Sequence, residues 1–238
     1  HCVTGVQTCA LPISGKAMTR ELDLIDVWFD SGSMPYAQNH YMGEGTPKDF
    51  PADFIAESID QTRGWFYSLI VIGVALFGKS PYENVIVNGL VLAEDGKKMS
   101  KSLQNYPDPM ELAHRVGADA MRFYLLTSPI VRGEDLNFSE KEVLELQRKN
   151  IGRLHNVLTM YEMYADENVG ASAESTHVLD RWMIARLNEV VHDITVGYTN
   201  YELDKATRPI EGLIDDWSVW YLRRSRERLK GEDEADKK

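Results

Sequence analysis

The sequence predicts an α/β segment followed by an all-helical segment. Three observations predict it. Residues 52–58, 60–78 and 84–92 read as strand, helix and strand, the order that builds a parallel α/β sheet. After Pro109 the texture turns to helical periodicity. Ser139 and Glu142 stand at capping-box spacing and open a long helical stretch. The α/β part ends in the region 108–130, and helices follow.

LDLIDVWFDSGS, residues 22–33, reads as a short strand running into a Ser/Gly loop. Residues 35–50 are polar and turn-rich, and ADFIAES (52–58) reads as a strand. From Asp60 to Gly78 the chain reads as a mostly buried helix, with Asp60 as N-cap and Gly78 as its stop. NVIVNGLVL (84–92) is rich in β-branched residues and reads as one strand, and AEDGKK after it holds an Asp95-Gly96 turn. Residues 110–127 are helical, and the Ser139 helix runs to about Ala165. From His177 to Thr195 the chain is amphipathic, with Leu179, Trp182, Ile184, Leu187, Val190, Val191 and Ile194 near one face. Residues 202–229 are helical again, with a kink or break expected at Pro209, and the tail GEDEADKK reads as a frayed end.

Bulk numbers bound the answer. The chain has 238 residues, 43% hydrophobic and 26% charged, an ordinary globular composition. A net charge of −11 argues against nonspecific binding to nucleic acid, though a local basic patch remains open. The longest apolar run, Trp65 to Gly78, is too short to span a bilayer, so the reading is a soluble, cytoplasmic protein with no membrane partner.

HCVTGVQTCALPIS, residues 1–14, holds both cysteines, Cys2 and Cys9, and no Lys, Arg, Asp or Glu. A signal peptide would need a positive n-region and a sustained apolar core. A Cys2–Cys9 disulfide would stand alone in a chain with no other cysteine. The stretch looks like the translation of a sequencing-library adapter, which places the native start near Ser14 or Gly15 and removes both cysteines from redox arguments.

The sharpest motif is KMSKS, Lys98-Met99-Ser100-Lys101-Ser102, after a strand and a glycine turn and before a proline-bounded loop. Two lysines three apart on a mobile loop can close over a polyphosphate and neutralise charge on a leaving pyrophosphate. The bland alternative is a solvated lysine cluster. A fully specified five-residue string arises by chance in such a chain on the order of once in ten thousand.

With DVWFDSGSMPYAQ (26–38), FPADFIAESIDQTRGWFYSL (50–69) and NVIVNGLVLAEDGKKMSKSLQNYPDP (84–109), KMSKS makes the chain resemble the class I aminoacyl-tRNA synthetases, in their isoleucyl form. The resemblance covers residues 22–138 specifically. It continues more loosely through LDRWMIARLN (179–188) and DDWSVWYLRRSRERL (215–229), which are similar to the start of a helical anticodon-binding domain. It implies residues 15–130 as the C-terminal half of a Rossmann-like catalytic domain, and 131–238 as a helical connector plus a partial anticodon-binding bundle. It implies activation of isoleucine with ATP and Mg²⁺ to isoleucyl-adenylate, transfer to tRNA(Ile), and a monomer at full length.

The resemblance also assigns residues. Glu57 matches the acidic residue that binds the adenylate through its ribose. Asp60 and Gln61 match residues lining the ribose and amino-acid site, and Trp65 the indole packed on the isoleucine side chain. Asn88 and Gly89 match a segment beside the adenine. Lys101 matches the ATP-binding lysine and Lys98 its companion, with Met99, Ser100 and Ser102 completing the loop. Ser58 stands where glycine is expected. Taken without the motif, Asp60 is only a cap and Trp65 only core.

No metal site is read in this chain: His40, His114, His155, His177 and His192 show no ligand spacing, and the resemblance puts any zinc site in a missing C-terminal part. Arg223, Arg224, Arg226, Arg228 and Lys230 cluster as a solvated face or as a surface along tRNA phosphates, with Trp217, Trp220 and Tyr221 packing the bundle. The chain has no His-x-Gly-His, so the expectation is that it does not activate isoleucine alone. The rival readings are a valyl- or leucyl-type synthetase and a non-catalytic tRNA-binding module.

Overall fold

The computed structural model describes residues 22–100, 102–164 and 175–231. The expectations for the opening stretch 1–14, for Lys101, for Ala165 and for the tail beyond Gly231 lie outside the described residues. The described chain divides into two compact units, 22–53 with 60–83 and 54–59 with 84–231.

In the first unit, residues predicted as a strand form a helix instead, α1 (Val27–Gly32). The reason is local: the Asp26 carboxylate caps it, accepting from the backbone N–H of Trp28 at 2.9 Å and of Phe29 at 3.1 Å. A short helix α2 (Met34–Ala37) and turns follow. The long helix α3 is Trp65–Phe77, shorter at its start than predicted. Residues Ile59–Arg63 form a separate 3₁₀ turn, so Asp60 does not cap α3. Gly78 does end it, at φ 68° with its N–H on the Val74 carbonyl at 2.9 Å. Helix α3 buries Phe66, Leu69 and Gly73 but leaves Tyr67, Val71, Val74 and Leu76 exposed, so it is half-buried rather than mostly buried. Against it sits α1, where Gly32 leaves no room for a Cβ beside Ser68. Tyr36, Tyr41 and Phe50 cluster on Phe77 at centroid distances of 4.7 to 5.5 Å.

The two predicted strands form and pair: β1 (Ala52–Ser58) with β2 (Tyr82–Asn88). The Ala52 N–H donates to the Pro81 carbonyl at 2.9 Å, which sets the starts of the strands side by side, as parallel pairing requires. The single strand expected over 84–92 is interrupted at Gly89. Beyond it lies β3 (Val91–Leu92), which pairs in parallel with β4 (Leu136–Asn137), Val91 facing Leu136.

The second unit's core gathers Leu112, Val116, Ala120, Tyr124, Phe138 and Val143. Helix α4 (Pro109–Val116) starts on the Asp108 cap, and Gly117 at φ 88° separates it from α5 (Ala118–Thr127), so the predicted 110–127 helix is two helices. Ser139 caps α6 (Glu140–Leu146), its hydroxyl accepting from the Glu142 N–H at 3.4 Å. A π-type turn at Gln147–Ile151 carries the chain into α7 (Gly152–Tyr164). Helix α8 (Val178–Thr199) buries Met183, Val190 and Gly197, a seven-residue stripe, while Ile184, Leu187 and Val191 of the predicted face are exposed. Gly197 allows the close approach: a Cβ there would lie 2.7 Å from the Ala206 backbone nitrogen. Helix α9 (Leu203–Asp215) continues through Pro209, and a π-type turn at Asp216–Tyr221 leads into α10 (Leu222–Lys230).

Two carboxylates, Asp204 buried and Asp180 half-buried, tie these helices. Asp204, 3% exposed, is hydrogen-bonded by Arg132 and paired with Arg208 at 3.6 Å. Thr207 beside it donates to the Leu126 carbonyl at 3.1 Å, joining α9 to the end of α5. Asp180 accepts from Tyr221 at 2.8 Å, Ser175 at 2.6 Å and Arg228 at 2.5 Å. Burial pushes both carboxyls up, but the hydrogen bonds and arginine charges outweigh it and hold both below the usual carboxylate range. A lowered native value gives stability that is present above the unfolded pKa of about 4 and lost as pH falls through the native one. Asp204→Ala should therefore cost about 2 kcal/mol at pH 7, since it removes the charge-assisted hydrogen bond from Arg132 and the pairing with Arg208. The gap between the urea midpoints of the two proteins should shrink steadily as pH falls below about 4, and a pH-independent gap would refute the assignment. Tyr221 moves the other way: burial, with Asp180 beside it, pushes it up to about 12. Its contribution is full below about pH 10 and fades as pH rises towards 12.

Candidate functional site

The site residues fall in both units, and each group is built by its own neighbours. In the first unit, Trp65 is the opening residue of α3. Its backbone N–H donates to the Gln61 side-chain oxygen at 2.9 Å, and its indole N–H donates to the Ser31 carbonyl at 3.1 Å. Gln61 therefore closes the start of the helix, a role that the sequence assigned to Asp60. Gly64 between them is buried: a Cβ would sit 2.8 Å from the Gln61 oxygen and 3.0 Å from the Trp28 ring. The DQTRGW string thus reads locally as a capped turn, a glycine under an aromatic ring, and a half-buried tryptophan. Asp60 is exposed.

In the second unit, Glu57 is an exposed residue near the end of β1, and the Ser58 hydroxyl next to it is buried with no hydrogen-bond partner among the described residues. Asn88 ends β2 and is half-buried. Gly89 is buried by close backbone approach: a Cβ there would lie 1.9 Å from the Glu134 carbonyl oxygen. Its N–H donates to the Ile130 carbonyl at 2.9 Å, and the next N–H, of Leu90, to the Asp135 carboxylate at 2.9 Å. The glycine holds the strand end that leads to the signature loop.

That loop is mounted on β3. The predicted Asp95-Gly96 turn is present, with Gly96 at φ 78° and the Ala93 N–H on the Lys97 carbonyl at 2.8 Å. Lys97 is drawn back onto Asp95 at 2.8 Å, and that ion pair lowers the Asp95 pKa and raises that of Lys97. Lys98 pairs by a β-bridge to Leu92 and has no ion-pair partner among the described residues. Met99 packs against the core. The Ser100 and Ser102 hydroxyls lie 2.8 Å apart. Asn105, which the sequence reading passed over, hydrogen-bonds the loop backbone at Lys98 and Ser100. Its only sequence signal is position, four residues past a lysine in a polar turn.

On α10 the basic cluster divides. Arg223, Arg224, Arg226 and Lys230 are exposed, while Arg228 turns inward to Asp180. Trp220 does not pack the bundle as expected: it is 47% exposed, with the Arg224 guanidinium 4.5 Å from its ring centre. Tyr221 does pack, through its bond to Asp180. A cleft of about 360 Å³ lined by Tyr124, Thr127, Leu136, Glu142 and Lys149 contains none of the sequence-predicted residues. Among the described residues no group of three or more His, Cys, Asp or Glu is placed to hold a metal, and no helix is long and apolar enough to cross a membrane.

Comparison with known proteins adds the following. The family model described as tRNA synthetases class I (I, L, M and V) matches residues 9–139, and that described as anticodon-binding domain of tRNA ligase matches 180–238. Isoleucine–tRNA ligase of Chlamydia caviae is 46% identical over 234 residues, covering 94% of this chain and 22% of its own length. That of Protochlamydia amoebophila is 45% identical over 229 residues, covering 93% and 22%. The chain thus spans about a fifth of the length of the curated relatives it matches. A Mycobacterium tuberculosis methionyl-tRNA synthetase in complex with methionyl-adenylate superposes with a TM-score of 0.72 at 21% identity, over 89% of this chain and 42% of that one. A ternary LeuRS-tRNA-LeuAMS complex of Agrobacterium radiobacter gives 0.65 at 19% identity, over 91% and 29%. These two bear on fold alone.

Proposed function

The chain belongs to the class I tRNA synthetases of the I, L, M and V group, and on that premise we propose that it works as the signature-loop segment of an isoleucine–tRNA ligase. The observation that carries the isoleucine assignment is identity of about 46%, over more than nine-tenths of the chain, to proteins named isoleucine–tRNA ligase. The chain's proposed parts are residues 15–130 as catalytic segment and 131–238 as connector and partial anticodon-binding bundle.

In the proposed reaction a carboxylate oxygen of isoleucine attacks the α-phosphorus of ATP. The bond between α- and β-phosphate breaks, pyrophosphate leaves with the electron pair, and isoleucyl-adenylate remains. Mg²⁺ enters with ATP as part of the substrate. Lys98 and Lys101 offset the charge that builds on the departing pyrophosphate. Glu57 accepts from the ribose hydroxyls, and Asn88 and Gly89 flank the adenine. Asp60 and Gln61 line the ribose and amino-acid site. The Gln61 carbonyl is oriented by the Trp65 N–H, which leaves its amide hydrogens and one further lone pair for a ligand. Trp65 packs on the isoleucine side chain, its N–H already satisfied by Ser31. Catalysis is positioning and electrostatics, with no covalent bond to the protein. The acyl group then passes to the terminal ribose of tRNA(Ile). The exposed Arg223, Arg224, Arg226 and Lys230 give α10 the charge to run along phosphates. The whole enzyme is proposed to act as a cytoplasmic monomer.

The test replaces the matching segment of the Chlamydia caviae ligase with residues 15–238 and measures ATP–pyrophosphate exchange with isoleucine, valine, leucine and methionine. Isoleucine should give the highest kcat/KM. A preference for valine or leucine would overturn the assignment.

A further inference from the structure

We propose that Asn105 is the positioning residue of the signature loop, its carboxamide clamping the backbone on both sides of Met99 so that Lys98 acts from a fixed frame. The proposal rests on the loop's role given above. Its geometry is independent of which amino acid the enzyme takes.

The Asn105 side chain makes two bonds to one short stretch. Its oxygen accepts from the Ser100 N–H at 2.9 Å, and its nitrogen donates to the Lys98 carbonyl at 3.2 Å. A carboxamide carries an acceptor and donors on one planar group, so it can serve both. A carboxylate keeps only the acceptor, and alanine keeps neither. Between the two clamped residues is Met99, which packs against the core of Leu112, Val116, Tyr124 and Phe138. The loop is thus held at three points: a side chain in the core and the backbone on each side of it.

The surroundings show what the clamp closes. On the N-terminal side, Lys98 bridges Leu92 of β3. On the C-terminal side, the N–H groups of Leu103 and Gln104 both donate to the Ser100 carbonyl, at 3.2 and 3.0 Å, and Gln104 sits at φ 47°, a conformation uncommon outside glycine. The Leu103 and Gln104 amides and the Asn105 side chain thus converge on Ser100, two residues from Lys98. A backbone held this way fixes where the Lys98 side chain starts, and losing such preorganisation lowers affinity and rate.

Residue-resolved amide hydrogen exchange on the 238-residue chain tests the clamp. In Asn105→Ala the Ser100 amide should exchange at least ten-fold faster, and Asn105→Asp, which keeps the acceptor, should restore most of the protection. Amides in α5 and α9 should not change. An unchanged Ser100 amide, or equal acceleration throughout the second unit, overturns the proposal. In the Chlamydia caviae chimera, Asn105→Ala should raise the KM for ATP at least five-fold and leave the KM for isoleucine unaltered. Equal changes in both would make Asn105 a structural residue only. Loss of isoleucine-dependent exchange in the unsubstituted chimera would instead sink the functional assignment, and the amide result would still decide the clamp.

Discussion

Lys101→Ala will lower isoleucine-dependent ATP–pyrophosphate exchange in the chimera by about 10²–10³-fold, the usual loss when a preorganised charge aimed at a leaving group is removed. Lys98→Ala will cost less, and Lys97→Ala will stay within about three-fold of the parent, because an exposed ion pair is worth little. The ordering is the argument. Three lysines lie within five residues, and a solvated cluster would make them interchangeable. They differ in their neighbours. Lys97 is already paired with Asp95 at 2.8 Å, on the turn before the motif. Lys98 is tied to β3 through its backbone only, which leaves its ammonium available to a ligand. Position 101 follows Ser100 in the sequence, and the Ser100 N–H is held by Asn105. If the lysines act on charge that develops as pyrophosphate departs, kcat and kcat/KM fall together. A rise in the KM for ATP at constant kcat would mean that they only bind the ground state. Equal losses at all three positions would return the motif to a solvated patch.

The strands at 52–58 and 84–88, the Asp95-Gly96 turn, the Gly78 stop and the Ser139 cap were legible in the sequence, because each rests on contacts within a few residues. The misses share a different cause. Residues 22–33 read as a strand leading into a loop, yet Asp26 starts a helix at Val27 by satisfying two N–H groups. On α8 the apolar residues outnumber the buried ones, and only the Gly197–Ala206 approach selects which stripe faces α9. Pro209 was expected to kink or break the helix, but α9 runs through it to Asp215, and a π-type turn follows at Asp216–Tyr221. For the candidate site, the motif located the loop, and no motif could reveal how it is braced. Gln61, Asn105 and the inward turn of Arg228 are polar side chains whose partners are fixed only by folding. In Gly89 the sequence supplied a ligand role, whereas the structure supplies a packing reason.

That packing reason makes Gly89→Ala the most damaging single methyl group in the second unit, with an expected loss of about 3 kcal/mol in urea unfolding of the chain. The added Cβ would lie 1.9 Å from the Glu134 carbonyl oxygen and 2.3 Å from its carbon. Both atoms are backbone, so no rotamer change relieves the clash. Either Gly89 retreats and gives up its bond to Ile130, or the 134–135 segment moves and takes the Asp135 carboxylate from the Leu90 N–H. In both cases the β3–β4 pair, held by Leu136 on Leu90 and Phe138 on Leu92 at 2.9 Å each, loses its register. Since β3 carries the bridge to Lys98, the signature loop loses one of its mounts. Gly96→Ala is the control. There the nearest atoms to a Cβ are 3.7 Å away, but φ is 78°, so only the left-handed conformation is penalised, by about 1 kcal/mol. Hydrogen exchange should show the Leu136 and Phe138 amides unprotected in Gly89→Ala and intact in Gly96→Ala. Should Gly89→Ala unfold at the parent's urea concentration and lose only ATP affinity, Gly89 is a ligand-contact glycine and the close approach to Glu134 is not what requires it.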